Sequence, residues 1–162
     1  MSEYLPDLTA GLEYIESILK EELMPHAGVV RAGGAFDSGE MRRHVLSAPV
    51  VLLSLLGAGA SQRHGRTGWI MSVQLAAYVL TRDTPPMAQR DDAALSLVTK
   101  VLRIVNRSPW SQSRTPAFGV VEQDSVSATN LYSGAIDSAA VALWAVTWSQ
   151  NFILDLVAGG QE

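Results

Sequence analysis

The chain contains no cysteine. That excludes disulfides, thiolate metal centres and cysteine nucleophiles, so the fold has to hold without covalent staples. Charge is also scarce. Twelve Lys and Arg stand against 16 Asp and Glu, for a formal net charge of −4, and no basic block occurs. Gripping a phosphate backbone takes a basic stripe, and this pattern has none. Long hydrophobic runs are missing too. The longest, residues 48–60, is interrupted by Ser54 and is too short to span a bilayer. The first residues, MSEYLPDLTAGLEYIESI, carry acids and no early Lys or Arg, unlike a secretion signal. A soluble protein made in the cytosol is expected. Neither a repeat, a domain linker nor a low-complexity tract interrupts the 162 residues, which read as one domain with 157–162 as a flexible tail.

What is present is dominated by two apolar runs, APVVLLSLL (48–56) and WIMSVQLAAYVLT (69–81), on either side of GAGASQRHGRTG (57–68). They predict a hairpin with 57–68 as its tip. At about 3.3 Å per residue the second arm spans roughly 40 Å. A compact chain of this size has a radius of gyration of only about 15 Å. The hairpin should therefore reach the domain edge or project beyond it, with its tip available to a partner.

Around the hairpin, Asp7 is placed to cap a helix to about Met24. Leu8, Leu12, Ile15, Leu19 and Leu23 share one face of it, Glu16 and Lys20 pair on another, and Pro25 stops it. Residues 28–36 read as a short strand and 38–46 as one or two helical turns. A second helix is expected over about 87–106, with Ala94, Leu95, Val98, Val101, Leu102 and Val105 as its apolar stripe. Residues 110–116 read as a loop, 117–123 as a strand, 133–138 as a turn and 141–154 as the last strand. In that last strand Trp144, Val146, Trp148 and Phe152 share one face. The fold class implied is α+β: a mainly antiparallel sheet of four to five strands, a long projecting hairpin, and helices on one face. The other sheet face is expected to be partly apolar and uncovered, as at a subunit interface.

Chemistry-bearing patterns are weak. Residues 59–67 imitate a Walker loop, but five residues separate Gly59 from Gly65 where four are needed. Arg66 stands where lysine should be, and a strand follows where the phosphate needs a helix N-terminus. His26, His44 and His64 lie in separate elements without metal-ligand spacing. Glu122 and Asp124 share a strand face but have no partner base or nucleophile. No serine lies in a GxSxG context. The reading is a contact-making protein rather than an enzyme, with no catalytic, cofactor or metal site. The contact candidates are Arg63, His64 and Arg66 at the tip, with Trp69 and Trp110 at loop edges and Tyr132.

The run Ala48-Pro49-Val50-Val51-Leu52, the tip 57–68, the segment 69–82, the helix 93–107 leading into Pro109-Trp110, and Asn130-Leu131-Tyr132 before the strand 142–150 carry a resemblance. Together they resemble the tail terminator family of Mu-like phages and prophages over nearly the full length. The resemblance implies a structural virion protein without catalytic residues, assembled in the host cytoplasm. It implies a homo-hexameric ring at the head-proximal end of the tail, which stops polymerisation of the tail-tube protein and offers a docking surface to head–tail connector proteins. DNA would pass through the lumen without specific binding, and no membrane or cofactor is involved. The alternatives are another head–tail connector or tail-completion subunit of the same particle, and a small α+β enzyme with a pocket built from scattered residues.

Overall fold

The computed structural model describes residues 4–33, 44, 47–82, 90–112, 117–131 and 140–156. Helix α1 (Leu8–Leu23) leads to strand β1 (Gly28–Arg31), then the long hairpin β2 (Val50–His64) and β3 (Gly68–Arg82). Helix α2 (Arg90–Arg107), 3-10 turns at Pro109–Gln112 and Gln123–Ser125, strand β4 (Ser127–Asn130) and the long strand β5 (Val141–Asp155) follow. Among the described residues one five-stranded sheet results, in the order β1-β2-β3-β5-β4. The fold is α+β as expected, with one difference: β1 pairs β2 in parallel, so the sheet is mixed. A parallel neighbour needs a crossover rather than a tight turn, and the chain between Arg31 and Val50 supplies it.

Helix α1 forms for the reasons its sequence gives. Asp7 accepts a hydrogen bond from the Ala10 amide at 2.8 Å, and Met24 turns out of helical geometry ahead of Pro25. Glu16 pairs with Lys20 at 3.3 Å and also with Arg31 at 3.3 Å, tying α1 to β1. Gly11 is not merely a weak helix former. A Cβ there would lie 2.6 Å from Phe152 Cε2, so glycine lets α1 settle onto β5. On α2 the buried stripe is Ala94, Leu97, Val98, Val101, Ile104 and Val105, while Leu95 is 48% exposed. The expected stripe was rotated by part of a turn: Leu97 and Ile104 replace Leu95, and Leu102 is only half-buried.

The hairpin differs from expectation in a consequential way. Residues 57–64 are strand, paired with β3 up to His64 opposite Gly68, and the turn is only three residues, 65–67. Gly57, Ala58 and Gly59 have little strand preference of their own. The β-branched and aromatic β3, itself held along its full length by β5, gives them a ladder to complete. Register shifts between Leu55 and Gly57 and between Ala60 and Gln62 leave Leu56 and Ser61 without direct partners, as at β-bulges. Because Gly68 pairs with Asp155 and Arg82 with Val141, β5 accompanies β3 to the tip. What extends is a blade of three 15-residue strands, each about 50 Å long.

Both helices pack on one face of that blade. Val51, Leu53, Val73, Leu75, Ala77 and Val79 of the hairpin, with Val146, Trp148 and Phe152 of β5, meet Ile15, Leu19 and Leu23 of α1 and the buried stripe of α2. Each fully buried aliphatic side chain here contributes roughly 1.5–3 kcal/mol relative to exposure. The opposite face was expected to stand partly uncovered. Near β1 it is instead closed. Val50, Leu52, Ala76, Tyr78, Leu80, Leu143 and Ala145 form a second buried cluster, with Ala32 and Leu131 packed against it. Toward the tip the same face turns polar, with Ser72 and Gln74 exposed. The expected strand at 117–123 is an irregular extended segment with one bridge, Phe118 to Phe152. The expected helical turns at 38–46, apart from His44, the turn at 133–138 and the tail from 157 lie outside the described residues.

Candidate interaction surface

At the tip, Gly65 takes φ +66°, a conformation glycine adopts without strain. A Cβ on Gly68 would lie 2.5 Å from the His64 carbonyl oxygen, so the turn closes only around glycine. The tip is tied on its β5 side. The Leu5 amide donates to the Ile153 carbonyl at 2.9 Å, Asp155 donates back to Leu5 at 2.8 Å, and Leu156 donates to Thr67 at 2.6 Å. Tyr4 Oη lies 3.2 Å from His64 Nδ1, with the two rings edge to face at 5.8 Å. Arg63, His64 and Arg66 are exposed, and Trp69, opposite both Arg63 and Leu154, is 39% exposed. The structure therefore brings four of the sequence candidates together at one end of the blade.

Trp110 does not belong with them. It is 0% exposed and stacks on Trp148 with ring centroids 6.0 Å apart. Both indoles donate to one buried acceptor, Gln150 Oε1, at 3.0 Å from Trp110 and 2.9 Å from Trp148. The Gln150 amide nitrogen donates in turn to the Gly119 carbonyl at 3.1 Å. A loop-edge position suggested a contact residue, but the 3-10 turn after α2 points this indole into the core, where it finds its polar partner. Tyr132 lies outside the described residues.

Two surface features escaped sequence reading. The first is a stretch of backbone edge that no described strand covers. β1 covers β2 only as far as Leu53, with one further bond from the Ala32 amide to the Leu53 carbonyl. From 55 to 64 no described strand pairs with the outer edge of β2. The second is on the far side of the sheet. There the segment 117–122 lines β5, with Gly119 donating to Asn151 at 2.8 Å and Glu122 to Ser149 at 2.9 Å. Its Val120 is 77% exposed, and Leu56 on the β2 side is 40% exposed. A signal for the first lay in the sequence: Gly57-Ala58-Gly59 keeps side chains off the strand, so its backbone stays approachable.

The described residues hold shallow grooves. One of about 240 Å³ is lined by Leu56, Gln74, Thr147 and Ser149 on the polar part of the second face. Another of about 200 Å³ lies between α2 and the base of the hairpin, beside His26, Thr81 and Lys100. The second also includes Ser96. Among the described residues no group of His, Asp or Glu is arranged to hold a metal ion, and no helix is long and apolar enough to cross a membrane. No protein-family model matches the chain, and no curated protein matches it.

Proposed function

We propose that this chain is a structural phage virion protein, a tail terminator that caps the head-proximal end of the tail tube as a homo-hexameric ring. The observation that supports this reading is the blade: three 15-residue strands ending in exposed Arg63 and Arg66, with a backbone edge beside them that no described strand covers. A long sheet with an uncovered edge favours assembly, because unpaired N–H and C=O groups template further pairing. The sequence resemblance supplies the kind of assembly. In this reading subunits meet through unlike surfaces and close as a ring. One ring face binds the last ring of the tube, and the opposite face rejects another tube ring and receives the connector. A net charge of −4 suits a lumen through which DNA slides, since a basic lining would hold phosphates. The protein performs its role in the virion, after assembly in the host cytoplasm.

The test is to add purified protein to polymerising tail-tube protein and to purified tails, and to image both by negative stain. Capped tubes of restricted length and rings at one tail end are expected. Unaltered tube lengths with binding only to purified heads would assign the chain to the connector instead.

A further inference from the structure

We infer that the cavity between α2 and the base of the hairpin is a binding site for a phosphate group, held by Lys100, Ser96 and His26. Several elements converge on it. Helix α2 contributes Ala93, Ser96, Leu97 and Lys100, the loop after α1 contributes His26, and the hairpin contributes Pro49 just before β2 and Thr81 near the end of β3. Backbone bonds hold the loop in place: the His26 amide donates to the Leu23 carbonyl at 2.7 Å, and the Gly28 amide donates to the Pro49 carbonyl at 3.2 Å. Leu97 and Thr81 are buried, so the inner wall belongs to the core. The cavity measures about 200 Å³. A water molecule takes about 30 Å³ of liquid, so a phosphoryl group and several further atoms have room. Thr81 lies at the end of β3 remote from the tip, and binding there does not depend on a ring.

The lining selects the ligand by charge and by geometry. Lys20, Arg31 and Arg107 each have a carboxylate at 3.3 Å or less, whereas Lys100, although half-buried, has none among the described residues. The Ser96 hydroxyl and the His26 ring likewise have no hydrogen-bond partner among the described residues. No carboxylate is among the described residues that line the cavity. Asp92, on the same row of α2, stands about 12 Å along the helix axis from Lys100. Drawing an ammonium partly out of water without a counter-charge costs free energy, and an anion in the cavity offsets that cost. Lys100 and Ser96 are i,i+4 neighbours on α2, and His26 comes from a different element. Together they offer an ammonium, a hydroxyl and an imidazole N–H, which His26 carries whether neutral or charged. Donors spread over two elements suit the tetrahedral oxygens of phosphate. A planar carboxylate is matched best by a guanidinium fork, and no arginine is among the described residues that line this cavity.

The test is titration of the full chain with inorganic phosphate, read by phosphorus NMR line width and by thermal melting against chloride at matched ionic strength. Phosphate also stabilises proteins generally by exclusion from their surface, so Lys100→Met, which keeps the apolar stem, is titrated alongside. Saturable line broadening and a melting temperature raised by a few degrees over the chloride control are expected for the parent. Lys100→Met should bind phosphate roughly tenfold more weakly or worse. Ser96→Asp is the second variant, should Lys100→Met melt early in chloride. It sets a carboxylate beside Lys100 on the exposed side of α2 and should abolish phosphate binding. Equal broadening in the parent and in either variant would overturn the inference, as would a parent that shows no saturable binding up to tens of millimolar. Acetate that saturates the cavity as tightly as phosphate would overturn the phosphate assignment in favour of a carboxylate.

Discussion

Gln150 shows how much of this core turns on one polar side chain. It sits fully buried among aromatic rings and satisfies two indole N–H groups and one backbone carbonyl. Burying an unpaired polar group costs about 1–3 kcal/mol, so a replacement that strands two indole donors is expensive, although the Gly119 carbonyl keeps its bond from the Ser111 hydroxyl at 2.8 Å. Gln150→Leu keeps approximate volume and removes the acceptor of both indoles. It should lose roughly 3 kcal/mol or more of unfolding free energy, read by urea titration with tryptophan fluorescence as the probe. A change below about 0.5 kcal/mol would mean that water or rearrangement rescues the indoles. From sequence alone, Gln150 reads as one polar residue in an apolar strand. Its role depends on Trp110, forty positions away in the chain, and the packing that brings them together is not a local property.

The elements divide by how locally each is determined. Helix α1 could be read almost to the residue because Asp7, the leucine spacing and Pro25 all act within a few positions of their targets. Strand β5 was readable for the same reason, its two faces differing in parity. The continuation of β2 through 57–64 was not, because glycine, alanine and serine there take their conformation from β3 across the ladder. The α2 stripe was read part of a turn off because Leu95 and Leu97 are chemically alike and only the position of the sheet separates them. That rotation is measurable. Ile104→Ala should cost about 2–5 kcal/mol as a core truncation, whereas Leu95→Ala should stay within about 0.5 kcal/mol. Equal costs in thermal or urea unfolding would return α2 to the orientation suggested by sequence.

At the scale of the whole molecule the blade separates two jobs by position. The end near β1 is closed on both faces by apolar clusters and holds the fold. The other end carries Arg63, His64, Arg66 and Trp69 in the open, tied by residues 4–5 and 155–156 to the strand beside it. Sequence located the tip residues correctly as neighbours because they are close in the chain. Trp110 was misjudged because burial is set by the assembled core. If the exposed arginines contact acidic groups on the tube, as the proposed function holds, their charge matters to capping and not to folding. Arg63→Glu with Arg66→Glu reverses both without touching a buried group. The double variant should melt within a few degrees of the parent, since exposed charges contribute little to stability. Any ring the parent forms should persist in the double variant, because both arginines are exposed and no buried contact is lost. Capping should fall by tenfold or more in the concentration needed to limit tube length, and the parent's capping should weaken with added salt. Rings that cap as well as the parent at every salt concentration would move the tube contact away from this tip, to the polar half of the sheet around Ser72 and Gln74.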